Sequence, residues 1–248
     1  MTNSIAEIED SGCIFVIGSN TTACHPLIAR RIFRAKEKGA KLIVADPRNI
    51  QLSRFADVAV NHRLGSDVAL LNGMMHVIIK NGWQAQDYIS QRTEDYEALE
   101  KVVNAYTPDK VRDITGVAPR HLERMAALYA THPPASLLYA MGITQHTTGV
   151  DNVKSCCNLA MLSGNVGVHG GGVNPLRGQN NVQGACDMGG LPNVMTGYQL
   201  VADPQVREKF SKAWGKPLPD HPGLTITDTV SYTHLTLPTT IPSWRARG

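Results

Sequence analysis

The chain has 248 residues, of which 42% are hydrophobic and 18% charged, with a formal net charge of +3. This is a globular profile of one large or two modest domains, and it excludes a disordered or coiled-coil chain. The charge is too small and too scattered for a nucleic-acid partner, and no apolar run is long enough to cross a bilayer.

The five cysteines, Cys13, Cys24, Cys156, Cys157 and Cys186, are odd in number and have no Cys-x-x-Cys spacing. A zinc centre or secreted disulfide framework is not expected, and the nine histidines show no metal-ligand spacing. The opening "MTNSIAEIED" is polar and acidic rather than a signal peptide. These features predict a reduced, cytoplasmic protein.

In chain order, "CIFVIG" reads as a short buried strand ending at Gly18. The following segment is predicted as a helix with Leu27, Ile28, Ile32, Phe33 and Ala35 at helical spacing and Gly39 at its C-terminal cap. "KLIVAD" is a second buried strand, and "VAV" a weaker third. "SDVALLNGMMHVIIKNG" starts at a good N-cap, Ser66 or Asp67, and runs to Gly82. This order predicts an α/β fold with a doubly wound, mostly parallel, Rossmann-like sheet.

The middle is predicted as helical. "EDYEALEKVVNAY" is amphipathic, and Pro108 opens a helix after Thr107. Leu122, Met125, Ala126 and Tyr129 form one stripe. "SLLYAMG" returns to strand and ends at Gly142. A further helix turns Val153, Cys157, Leu159, Ala160 and Met161 inward, with Cys156 and Cys157 as core residues. From Gly164 to about Gly197 the glycine-rich chain shows no clear secondary structure, and such a stretch is usually functional.

Four places carry unusual residues. "GSNTTACHP", from Gly18, offers backbone N–H groups that suit an anion, although an ordinary strand-to-helix turn explains it equally well. "ADPR" puts Asp46 where nucleotide-binding sheets bond a ribose or base edge, with Arg48 available to a phosphate. Asp46 falls farther beyond Gly18 than the usual separation of about 20 residues. "YAMGITQH" places small residues at a strand tip, which alone reads as a glycine turn. In "RGQNNVQGACDMGG", Arg177 has a planar fork for a carboxylate or phosphate. The amides of Gln179, Asn180, Asn181 and Gln183 offer donors and acceptors suited to a heterocycle edge. Val182, Cys186, Met188 and Leu191 anchor the stretch, which sets it apart from a disordered linker. Cys186 is open to two readings, a packing residue or a cofactor neighbour.

"GGVNPLRGQNNVQGACDMGGLPNVMTGYQ" resembles the signature of molybdenum-dependent formate dehydrogenases of the dimethyl sulfoxide reductase superfamily. "FVIGSNTTACHP", "LIVADPR", "GSDVALLNGMMHVII", "YAMGITQ" and "NLAMLSGNVG" resemble the same family in the same order. The likeness covers Met1 to about Thr227. The long signature is highly specific, whereas the short ones are shared across the superfamily. Residues 1–227 are expected to be an internal α/β region, with a first nucleotide-binding half (1–82), a helical insert (83–134) and a second strand–helix unit with the cofactor and substrate loop (135–227). The core of 228–248, "VSYTHLTLPT", resembles translated sequencing-adaptor read-through, so this segment is expected to be a non-native tail.

The resemblance implies oxidation of formate to carbon dioxide at a molybdenum or tungsten bis(molybdopterin guanine dinucleotide) centre. Electrons would pass to a 4Fe-4S cluster and then to an iron–sulfur, hydrogenase or NAD-linked partner subunit. It places Gly18, Asn20, Asp46, Arg48, Gly65 and Asp67 around the guanosine diphosphate arms. It brings Met141, Gly142 and Gln145 to a pterin or its pyrophosphate, and Gln179 to the pterin system. Arg177 would hold formate.

The sequence also departs from the family. The cluster-binding cysteine motif, the metal-binding cysteine or selenocysteine with its neighbouring histidine, and the C-terminal β-barrel-like domain all fall outside these residues. The chain is therefore expected to be an internal fragment, inactive alone. Alternatives are a relative with another substrate, a pterin-free respiratory large subunit, a nucleotide-binding module without redox activity, or a relative of the central domain of thiamine diphosphate enzymes. The last does not explain the amide-rich signature. Arg177 and the intact amide series argue against the first two.

Overall fold

The computed structural model describes residues 1–230, so most of the expected tail, 228–248, lies outside the described residues. The chain divides into two compact units, Met1–Gly178 and a second beginning at Gln179.

The first unit is built on strands β1 (Cys13–Ile17), β2 (Lys41–Ala45), β3 (Val58–Val60), β4 (Ala135–Tyr139) and β5 (Val173–Pro175). They pair in the order β3-β2-β1-β4-β5, and every pairing is parallel. Its helices are α1 (Thr21–Cys24), α2 (Pro26–Glu37), α3 (Asp67–Lys80), α4 (Gln86–Arg92), α5 (Tyr96–Val103), α6 (Pro108–Thr115), α7 (Pro119–Thr131), α8 (Met141–Thr144) and α9 (Gly149–Leu162).

The strands read as unbroken apolar runs because both faces of the sheet are covered. Ile14, Val16, Leu42 and Val44 point to one side, against Ile28 and Ile32 of α2. Phe15, Ile17, Ile43 and Ala45 point to the other, into the layer of α3, α7 and α9. Phe15 meets Tyr129 of α7 edge-on, with ring centroids 6.1 Å apart. Each buried valine, leucine, isoleucine or phenylalanine among them contributes about 1.5–3 kcal/mol by leaving water. The α7 stripe of Leu122, Met125, Ala126 and Tyr129 is wholly buried, as expected.

Several expectations are corrected. The first helix is broken in two, because Pro26 opens a new helix after His25. Leu27 consequently faces solvent, at 75% exposure, while Ile28 and Ile32 make the buried face. The fourth strand ends at Tyr139, and Gly142 lies one residue into the short helix α8. On α9 the buried stripe runs through Ser155, Cys156, Leu159, Ala160 and Leu162, whereas Val153, Cys157 and Met161 are only partly covered. Burial pushes the Cys156 thiol pKa far up, as it does for Cys13, so both stay protonated.

The stretch from Gly164 to Gly197 is not without secondary structure. Val173–Pro175 joins the sheet as β5, and its ladder continues through a bond from the Leu176 N–H to the Tyr139 carbonyl at 2.7 Å. The second unit holds α10 (Val182–Asp187), the short hairpin β6 (Val194–Met195) and β7 (Gln199–Leu200), and α11 (Pro204–Trp214). Met195, Val201 and Phe210 form its small core.

At the N-terminal end of the first unit, Glu7 accepts hydrogen bonds from the Asn3 amide and from the Ser4 and Gly170 N–H groups. These hold its pKa at about 2, below the ordinary 4.5. A depressed carboxylate stabilises the fold above its unfolded pKa and loses that contribution as pH falls through the folded one. Denaturant midpoints are expected to drop as pH falls from about 4.5 to about 2, and Glu7→Gln should flatten part of that drop.

Candidate functional site

In an open parallel sheet, ligands bind beyond the carboxyl ends of the strands, where the strand order reverses. Here that point lies between β1 and β4, because the chain winds outward from β1 to β3 on one side and from β4 to β5 on the other. A crevice of about 240 Å³ opens there, lined by Gly18, Asp46, Pro47, Arg48, Leu64, Gly65, Asp67, Gly142 and His146. A roomier groove of about 450 Å³ has Asn72, Leu99, Lys154 and Ser155 among its walls, but no strand end reaches it.

The floor of the crevice is a backbone contact. The Gly142 N–H donates to the Gly18 carbonyl at 3.1 Å. A Cβ on Gly142 would fall 2.5 Å from that oxygen, and one on Gly18 would fall 2.8 Å from the Gly142 carbonyl carbon. Gly18 also has φ +58°, a left-handed conformation that glycine adopts freely. The two strand ends therefore meet closely, with no side chain between them.

Two buried carboxylates stand beside this floor. Asp46 follows β2 and is 3% exposed. Its Oδ1 accepts from the Arg48 N–H at 2.9 Å, which closes a tight turn. The Arg48 Nε is 3.5 Å from the same oxygen, with the Arg48 side chain 72% exposed and open to a phosphate. Asn61 clasps the turn, its Nδ2 donating to the Asp46 and Arg48 carbonyls at 2.8 and 3.0 Å. Asp67, the first residue of α3, is also 3% exposed. Its Oδ1 lies 2.8 Å from Nε2 of the buried His62. Gly65, at φ +74°, turns the chain between His62 and Asp67.

The fold thus brings together Gly18, Asp46, Arg48, Gly65, Asp67 and Gly142 from the expected site residues. Asn20 sits nearby in sequence, at the N-terminus of α1, and accepts from the Thr22 hydroxyl at 3.4 Å. Met141 is 60% exposed on α8, and Gln145 is exposed at its end. Sequence reasoning missed His62, Asn61 and His146. His146 is recognisable only afterwards, as the residue four beyond Gly142 whose Nε2 meets the Gly142 carbonyl at 2.8 Å.

Arg177 follows Leu176 at the end of β5, outside the crevice lining, and is exposed. Its carbonyl accepts from His25 Nε2 at 3.0 Å, so the link between α1 and α2 anchors its backbone. Burial and then the charge of Arg177 lower the pKa of the Met1 amino group. Burial pushes the Tyr139 phenol up, with Arg177 partly opposing it. The arginine thus exerts its field on Met1 and on the end of β4. Gln179 belongs to the second unit and is exposed.

Among the described residues, no group of three histidine, cysteine, aspartate or glutamate side chains is arranged to hold a metal ion. No helix among them is long and apolar enough to cross a membrane.

Glycines and two buried carboxylates thus stand at the switch point of a parallel doubly wound unit, where open α/β sheets bind their ligands. The chain belongs to the molybdopterin oxidoreductase family, whose family model matches residues 1–238. It is 54% identical over 228 residues to the alpha subunit of F420-dependent formate dehydrogenase 1 of Methanococcus maripaludis, covering 92% of this chain and 34% of that protein. It is 48% identical over 229 residues to formate dehydrogenase H of Escherichia coli, covering 92% and 32%. The chain therefore spans about a third of the length of these relatives. The solved structure of acetylene hydratase from Pelobacter acetylenicus matches with TM-score 0.60 and 27% identity, over 65% of this chain and 24% of that one.

Membership of this family implies a molybdopterin cofactor, and the residues present fit its polar end. The glycine contact puts no side chain in the way of a ligand, the buried carboxylates accept from hydroxyl or amine groups, and Arg48 suits a phosphate.

Proposed function

We propose that this chain is the nucleotide-gripping α/β region of a formate dehydrogenase that converts formate to carbon dioxide, one proton and two electrons. The observation that carries the reading is the crevice in which Asp46 and Asp67 flank the Gly18–Gly142 contact. The identity to formate dehydrogenase alpha subunits supports formate as the substrate.

When bound, a molybdenum or tungsten bis(molybdopterin guanine dinucleotide) centre supplies the two-electron chemistry. Asp46 and Asp67 accept hydrogen bonds from the nucleotide end, and Arg48 meets its phosphates. Gly18, Gly65 and Gly142 let the ligand approach the backbone, with Asn20, Met141 and Gln145 at its edge. Arg177 holds the formate carboxylate through its guanidinium fork, and Gln179 bonds the pterin. A 4Fe-4S cluster held outside these residues would supply the route for the electrons to an iron–sulfur, hydrogenase or NAD-linked partner subunit, in the cytoplasm.

The 248 residues alone are expected to be catalytically silent, because they span about a third of the length of the formate dehydrogenases they resemble. Purified chain and purified full-length protein, assayed side by side for formate-dependent viologen reduction, test this. Turnover by the full-length protein alone supports the reading. Turnover by the isolated chain contradicts the division of labour, and turnover by neither contradicts the formate assignment.

A further inference from the structure

We propose that His62 is a positioning residue for the nucleotide crevice: its imidazole fixes Asp67 so that the second carboxylate oxygen accepts a hydrogen bond from the ligand. This rests on the nucleotide reading of the crevice. The donor is the ribose 2′-hydroxyl or the exocyclic amino group of a guanine base, since a carboxylate needs a hydrogen-bond donor as its partner.

The His62 side chain is 0% exposed and that of Asp67 4%. A leucine would fill the His62 space without adding polar atoms. The histidine instead brings two ring nitrogens into the interior, and one of them, Nδ1, has no hydrogen-bond partner among the described residues. Leaving a buried polar atom unmatched is unfavourable, so packing does not account for histidine at this place. What the ring does achieve is a single short bond, Nε2 to Asp67 Oδ1 at 2.8 Å.

That bond selects one of the staggered orientations open to the Asp67 side chain. Oδ1 is engaged, while Oδ2 takes no hydrogen bond from the described residues. Asp67 is a wall of the crevice, together with Asp46 and the glycine floor. The segment carrying the pair is held independently of the ligand. The Arg63 N–H donates to the Thr115 carbonyl at 2.8 Å, the Arg63 guanidinium bonds the Asp113 carbonyl at 2.6 Å, and Ser66 Oγ donates to the Arg63 carbonyl. His62 and Asp67 therefore sit on a braced frame, and the imidazole supplies the last constraint on the carboxylate. Pre-setting a side chain in its binding orientation removes an ordering penalty at the moment of binding.

The test is isothermal titration calorimetry of the 248-residue chain with GDP, on wild type, His62→Leu, His62→Gln, Asp67→Ala and the double variant His62→Leu/Asp67→Ala. The account predicts that wild type binds and that His62→Leu and Asp67→Ala each weaken binding about tenfold. His62→Gln, whose amide still donates, recovers affinity to within about threefold of wild type. The double variant binds no more weakly than Asp67→Ala alone, because His62 acts only through that carboxylate. Inosine diphosphate and 2′-deoxy-GDP separate the two donors: the analogue whose affinity no longer responds to Asp67→Ala lacks the group that Asp67 contacts. Equal GDP affinity in wild type and His62→Leu, or a double variant whose losses add, overturns the positioning role and leaves the crevice reading standing. Wild-type chain that binds no GDP overturns the crevice reading and this inference with it.

Discussion

Replacing Arg177 by alanine in the full-length protein is expected to lower kcat/KM for formate about 100- to 1,000-fold, the usual result of removing one preorganised charge-stabilising donor. The residue stands at the end of the β5 extension, and His25 anchors its backbone through the bond at 3.0 Å. The backbone is anchored while the guanidinium is exposed, so its fork is open to a bidentate grip on a small carboxylate. Arg177→Lys keeps the charge but loses the fork, so it should fall between wild type and alanine. Steady-state kinetics on cofactor-loaded enzyme checks this. If Arg177→Ala is kinetically indistinguishable from wild type, formate is held elsewhere.

The second large effect is structural. Gly142→Ala should destabilise the first unit by about 3 kcal/mol, because the new methyl meets backbone that has nowhere to move. Its Cβ would lie 2.5 Å from the Gly18 oxygen and 2.8 Å from the Gly18 carbonyl carbon and Cα. The contact joins the ends of the two central strands, so relieving the overlap separates β1 from β4 at the crevice floor. A fall in Tm of roughly 6–12 °C follows for a chain of this size. Gly65→Ala makes the contrast. Nothing lies within 4 Å of its added Cβ, but φ is +74°, so only the backbone penalty of about 1–2 kcal/mol applies. Thermal melts of the two variants should rank them in that order, and equal melts would contradict the steric account.

Much of this architecture was legible because both faces of the sheet are buried. "CIFVI" and "KLIVA" are apolar at every position but the first lysine, as central strands of a covered parallel sheet must be. The α7 stripe was equally plain, since one buried face at helical spacing leaves a periodic signal. The break at His25–Pro26 was misread because proline is compatible with a first turn, and the pattern alone does not say whether a helix continues or restarts. β5 was missed because three residues among glycines carry no periodicity, and its place comes from pairing with β4.

The candidate site was legible where backbone chemistry demanded a residue type. Gly18, Asp46 and Asp67 sit at the ends and starts of recognisable elements. His62 was not legible, because its partner is five residues away across a left-handed glycine and neither spacing nor composition signals the pairing. Arg177 was conspicuous as a fork beside glycines and amides. That His25 would support it depended on a contact between residues 152 positions apart.

The most direct test of the central claim is the composition of purified full-length protein, with metal measured by elemental analysis and guanine released as GMP by acid hydrolysis, alongside formate-dependent dye reduction. The account predicts molybdenum or tungsten with two GMP per metal atom, and activity that scales with metal content. Active protein without bound guanine, or metal-loaded protein inert to formate, would contradict it.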